Sequence, residues 1–233
     1  MGKIHWQFYF VGAVIALAAC GQSWADDLNP PPWRGQPWTT VAEWEFLQPA
    51  PGPLFPDGTT PAVVGDGLGP TGAPTATPGG ALTWFPSYDG DGAWIGTGPP
   101  GQDGYLDLVI PNWIDPFPFK LIWLQMTIQP QGSNPPRPHV DTVTAVDPTG
   151  IQGITRLGVI ENLIDPLNNI IHRTEVWQIR PNPDWERILV AIPADSYVDQ
   201  IVCDTISFIP EPASLTLVAL ALLGCGSLMF RRR

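Results

Sequence analysis

The chain has 233 residues, 29 of them Pro and 24 Gly, and a formal net charge of −11. That length suits one sizeable domain, since domains commonly run to about 100–200 residues. Between residues 26 and 212, seven Arg or Lys stand against all 22 Asp or Glu, a net of −15. Such a field excludes nucleic acid as a partner and opposes anionic surfaces, because phosphate binding needs clustered cations.

Lys3 precedes the apolar run 8–19 (FYFVGAVIALAA), and small residues at Ser23 and Ala25 flank Trp24. A cationic start, a short apolar stretch and small residues at the cut are the layout of a secretory signal peptide, so residues 1–25 are expected to be removed after Ala25. The run is twelve residues long, short of the roughly 20 that cross a bilayer. Leu17-Ala18-Ala19-Cys20 resembles the lipobox of bacterial lipoproteins, and a cut that leaves a lipidated Cys20 is the alternative. Cleavage after Ala25 is favoured because it gives a normal c-region and the other end of the chain already supplies an anchor.

Residues 26–40 form a Pro-rich leader (NPPPWRGQPW at 29–38). Its prolines fix φ and remove donors, so it reads as extended and irregular. A β domain is expected over 41–209. VAEWEFL (41–47) alternates, with Ala42, Trp44 and Phe46 on one face and Glu43 and Glu45 on the other, the pattern of a half-buried strand. Residues 48–80, which include GDGLGPTGAPTATPGG, read as long surface loops with one short strand at 62–64. ALTWFP, AWIG and YLDLVI follow as short strands between Gly-Asp and Gly-Pro turns.

FKLIWLQMTIQ (119–129) is apolar on both faces, which predicts a central strand with Ile122, Leu124, Met126 and Ile128 turned one way. VDTVTAV, ITRLGVIE, IIHRTEVWQIR, RILVAIP and YVDQIVCDTISFI continue the series. Nine or ten strands rich in Val, Ile, Thr and Trp predict an all-β fold, an antiparallel β-sandwich of jelly-roll-like topology. A parallel α/β sheet is disfavoured because the crossover helices are missing.

The chain closes on residues 210–233. Pro210-Glu211-Pro212 precedes an uncharged run at 213–230, which ends in Arg231, Arg232 and Arg233. As a helix those eighteen residues would reach about 27 Å, close to the thickness of the hydrocarbon core. The arginines would stay on the cytoplasmic side and the acidic body outside. Order, spacing and position resemble the PEP-CTERM sorting signal. The resemblance implies processing by exosortase, an integral-membrane cysteine protease or transpeptidase of Gram-negative bacteria that make extracellular polysaccharide. It implies a membrane anchor before processing and a cell-surface or extracellular destination afterwards.

Signatures of chemistry are sparse. HExxH, GxSxG, SxxK and the phosphate-cradling loop are absent, and no cofactor or metal is expected. Cys203 is alone in the domain, which leaves no intradomain disulfide, and reads as a small buried hydrophobe. His139 reads as a loop histidine in solvent and His172 as a partly exposed strand residue. Glu43 and Glu45 lie about 6.6–6.8 Å apart along one strand face, within the range of a glycosidase pair, but the solvated face opposite Ala42, Trp44 and Phe46 is the simpler reading. Asp89-Gly90-Asp91-Gly92 resembles a fragment of a calcium loop, yet lacks the ligand spacing of a complete one.

Nine tryptophans lie outside the signal segment, and flat indoles stack on sugar rings. Trp84, Trp94 and Trp185, nearer turns, are the candidates for glycan contact. The expected function is that of a non-catalytic surface or matrix protein. Alternatives are a carbohydrate-binding module that contacts extracellular polysaccharide through exposed tryptophans, or a glycan-active hydrolase.

Overall fold

A computed structural model describes residues 29–49, 52–60, 62–65, 72–86, 88, 91–131, 137–146 and 153–208. The expected signal peptide with Cys20 and Ala25, the tail from Pro210 and the residue Asp89 lie outside the described residues. Eleven strands and no helix are found among those described: β1 Thr39–Trp44, β2 Thr75–Gly80, β3 Leu82–Phe85, β4 Ala93–Gly96, β5 Gly104–Pro111, β6 Phe119–Pro130, β7 His139–Val146, β8 Gly153–Asp165, β9 Ile170–Arg180, β10 Trp185–Ile192 and β11 Ser196–Phe208.

The strands make two antiparallel sheets. The larger runs β3-β4-β11-β6-β9-β8, with β1 also pairing β11; the smaller runs β2-β5-β10-β7. One apolar cluster draws on both. Ile122, Leu124, Met126 and Ile128 of β6 and Ile201 and Cys203 of β11 join Leu106, Leu108 and Ile110 of β5 and Ile188, Val190 and Ile192 of β10. All four β6 residues are fully buried, and β6 lies between β11 and β9 as its two-sided apolar pattern predicts. Burying each such side chain stabilises by about 1.5–3 kcal/mol. From β5 onward the chain switches sheets repeatedly: β5 smaller, β6 larger, β7 smaller, β8 and β9 larger, β10 smaller, β11 larger.

The Pro- and Gly-rich stretch at 48–80 departs from the expected surface loop. It contains β2, TATPGG, which pairs β5 and puts Ala76 into the core at 0% exposure. A strand with so few β-formers persists because it packs against a neighbour, not through intrinsic preference. Tyr105 lies over Gly79, where a Cβ would fall 2.4 Å from its ring, so only Gly fits beneath it. The expected strand at 62–64 reduces to one bridge, Val41 to Val63.

The leader is more ordered than its prolines suggested. The Asn29 amide donates to Gln125 Oε1 at 3.0 Å, and Trp123 Nε1 donates to the Asn29 carbonyl at 2.9 Å. Arg34 forks onto Asp204, Nε to Oδ1 at 2.6 Å and NH2 to Oδ2 at 2.5 Å. It is a strap across the outer face of the larger sheet. At the other side, β8 and β9 are joined by DPLNN. Asp165 Oδ1 accepts the Leu167 amide at 2.8 Å and Asn169 takes φ 57°, the local chemistry of a tight turn.

Candidate functional site

Strand alternation decides which side chains of the smaller sheet meet solvent. Along β10, Glu186, Ile188, Val190 and Ile192 turn inward and are buried, so Trp185, Arg187 and Leu189 share the outer face. Thr144 of β7 stands opposite Arg187, Asp107 of β5 and Thr142 of β7 stand opposite Leu189, and Tyr105 of β5 lies farther along, opposite Ala191. Arg187 Nε donates to Asp107 Oδ1 at 2.7 Å and its NH2 to Asp107 Oδ2, a bidentate fork. Hydrogen bonding and charge from Asp107 raise the Arg187 pKa further. A shallow depression of about 190 Å³ is lined by Thr142, Thr144, Arg187 and Leu189. Trp185 is half-buried and Tyr105 38% exposed, so aromatic surface, hydroxyls and an oriented ion pair share one open face.

The other two tryptophan candidates lie elsewhere. Trp84 and Trp94 face each other across β3 and β4. Trp94 belongs to the core at 6% exposure, and Trp84 packs against that core while its Nε1 donates to the Phe46 carbonyl at 2.9 Å. Strand pairing turns both indoles toward the interior, Trp94 buried and Trp84 half-buried against the core. Of the three, only Trp185 lies on the open sheet face.

Of the carboxylate pair, Glu43 on β1 is not solvated as expected, while Glu45, just past the strand, is half-buried. Glu43 is 0% exposed because residues 57–60 fold over it. Its Oε2 accepts the Thr60 amide at 2.5 Å and its Oε1 accepts Gln200 Nε2 at 2.7 Å. Gly58 permits this cover: a Cβ there would meet Glu43 Cγ at 2.2 Å. Burial, then the charge of Glu43, pushes Glu45 upward. With both its oxygens engaged, Glu43 is a structural tie of the loop to the sheet.

The histidines separate. His139 Nδ1 lies 2.9 Å from the Arg137 carbonyl beside solvent. His172 is 2% exposed, not partly exposed, because the leader and Gln125 cover its strand face; its Nε2 lies 3.2 Å from Gln125 Oε1. Cys203 is fully buried, and burial first, then Glu186 and Asp204, push its thiol pKa well up. A thiol held protonated in the core is a packing residue. Among the described residues no group of three or more His, Cys, Asp or Glu is placed to hold a metal.

A buried polar network was not anticipated from the sequence. Lys120 of β6 and Glu186 of β10 are both 0% exposed, on inner faces of opposite sheets. Lys120 Nζ donates to Ser207 Oγ at 3.1 Å, Asn112 Nδ2 donates to Glu186 Oε2, and Asn182 Nδ2 bridges Asp115 Oδ1 at 2.9 Å and Ser207 Oγ at 3.2 Å. Burial lowers Lys120 and raises Glu186 to about 7. The signal for it lies in the strand phase: Lys120 alternates with Ile122 and Leu124, and Glu186 with Ile188 and Val190. Ser207 is 3% exposed, which seals this amine and hydroxyl from any substrate and makes them a tie at the end of β11.

β11 ends at Phe208, and the chain beyond it is a sorting segment. Residues 208–233 match the PEP-CTERM protein-sorting motif. That motif implies export, a membrane-anchored C-terminal sorting signal and processing by exosortase. No curated protein and no solved structure matches the chain.

Proposed function

We propose that this is an exported, non-catalytic surface or matrix protein, anchored by one C-terminal span until exosortase processes it near Pro210-Glu211-Pro212. The observation that carries this reading is the sorting motif at 208–233, set directly against a β domain whose last strand ends at Phe208. Strand switching, with β1-β11-β6-β9 in one sheet and β5-β10-β7 in the other, supports a jelly-roll-like sandwich. Against catalysis stand the engaged Glu43 oxygens, the protonated Cys203 and the sealed Lys120–Ser207 contact. Replacing Pro210, Glu211 and Pro212 with Ala in the producing cell tests the sorting. Export should continue while the tail is retained; normal tail removal would refute it.

A second reading, binding of extracellular polysaccharide, is favoured by one observation: Trp185 and Tyr105 flank the Arg187–Asp107 fork and the Thr142 and Thr144 hydroxyls on a single open face. Aromatic stacking with a few oriented polar groups is what an amphipathic sugar ring requires. A glycan array should show binding that falls at least about tenfold in Trp185→Ala, equivalent to about 1.4 kcal/mol, and is unchanged in Trp94→Phe. Absence of binding to every glycan would remove this reading.

A further inference from the structure

We propose that β8 is a homodimerisation edge, on which two copies of the chain pair antiparallel about a two-fold axis through Val159. β8 is thirteen residues long and ends the larger sheet. Among the described residues no strand pairs with its outer edge. An edge of this kind presents unpaired N–H and C=O groups, and proteins ordinarily shorten, bury or blunt it. Here it is long and carries exposed apolar side chains: Leu157 at 54%, Val159 at 39%, Ile160 at 46% and Leu163 at 56%.

The occupant is argued from the register. β8 pairs β9 through Ile154↔Ile179, Arg156↔Trp177, Val159↔Glu175, Glu161↔Arg173 and Leu163↔Ile171, with Leu157 as an extra residue at a bulge. Alternate β9 partners share a face, so Ile154, Arg156, Val159, Glu161 and Leu163 share one face of β8. In an antiparallel pair, facing residues must also share a face. With the axis through Val159, that residue meets its own copy, Gly158 meets Ile160, Arg156 meets Glu161, Thr155 meets Asn162 and Ile154 meets Leu163. Symmetry repeats each unlike pair. Across residues 154–163 both charges then face their opposites, the polar Thr155 and Asn162 face each other, and Ile154 and Leu163 face each other.

Neighbouring registers lose this match. An axis through Gly158 sets Arg156 against Val159 and Ile154 against Glu161. An axis through Ile160 sets Arg156 against Leu163 and Glu161 against Val159. The bulge itself matters: with Leu157 as an ordinary ladder residue, Arg156 and Glu161 would stand five positions apart on opposite faces and could not meet. Arg156 is free enough to turn outward: its side chain is 49% exposed and its contacts are Glu175 at 3.8 Å and the Trp177 ring at 5.7 Å. Glu161 is held in place by Arg137 and Arg173, a prepositioned acceptor for the partner copy.

The test is disulfide trapping in the full chain, purified in detergent. Val159→Cys puts two thiols on the axis, and Thr142→Cys, exposed on the smaller sheet, is the control; Cys203 is buried. Under mild oxidation the 159–159 link should form at least about tenfold faster than the 142–142 link, because pre-association raises the local thiol concentration. Adding Arg156→Glu to Val159→Cys should slow it severalfold through facing carboxylates. Equal rates at the two positions, no 159–159 link, or dimers joined only through Cys225, the cysteine of the C-terminal run 213–230, would each overturn the proposal. The result is independent of tail processing.

Discussion

Glu186 shows how a single residue reports on the interior. Burial raises its carboxyl from 4.5 to about 7, against the opposing pull of Lys120 and Asn112. The folded state therefore holds a proton that the unfolded chain releases between those values. This contribution to stability is fully present below pH 4.5 and is lost as pH rises through 7. Lys120, lowered by the same burial, has the opposite linkage: its contribution is present above 10.5 and fades as pH falls through its depressed value. Urea midpoints of the wild type should thus fall between pH 5 and 7 more steeply than those of Glu186→Gln (about one to two pH units bracket the transition). Parallel slopes would show that Glu186 ionises normally. Part of this was legible beforehand: Lys120 and Glu186 are in phase with core residues at one end of their strands. Missing from the sequence was the knowledge that those ends come together across the sheets, since alternation gives a face but not a neighbour.

At the scale of elements, legibility followed burial pattern. β6, β9, β10 and β11 alternate or run apolar, and their expected positions agree with the structure within a few residues. β2 was hidden because Thr, Pro and Gly carry no periodic signal; its place is set by Ala76 and the β5 ladder. The same limit applies to Glu43, which looked solvated because β1 alternates, while its cover comes from residues 57–60 in a stretch without pattern. The leader is the other element that composition misjudged. Its order rests on a few side-chain contacts, chiefly the Arg34 fork onto buried Asp204. Arg34→Ala leaves that carboxylate without its fork, at a cost of about 3 kcal/mol. Amide exchange should accelerate across residues 29–38 while β6 stays protected. Unchanged protection of the leader would mean that Asn29 and Trp123 suffice to hold it.

For the whole molecule, the candidate site was less legible than the fold. Trp84, Trp94 and Trp185 looked alike in sequence, each near a turn, yet strand pairing sends two indoles inward and leaves one on the open face beside Arg187 and Asp107. The tail was the clearest feature of all, because sorting is read from a linear pattern and needs no fold. Its position has a mechanical consequence: only Ile209 separates Phe208, the end of β11, from Pro210. On the proposed reading, the domain is expected to sit close to the membrane before processing, and a cut near Glu211 would release every strand intact. The most direct measurement is the C-terminal peptide of the mature protein recovered from its own cell. The expected result is a chain that ends within Pro210-Glu211-Pro212, with the Lys120–Ser207 tie and all of β11 retained. A mature chain that still ends in Arg231-Arg232-Arg233 would contradict it.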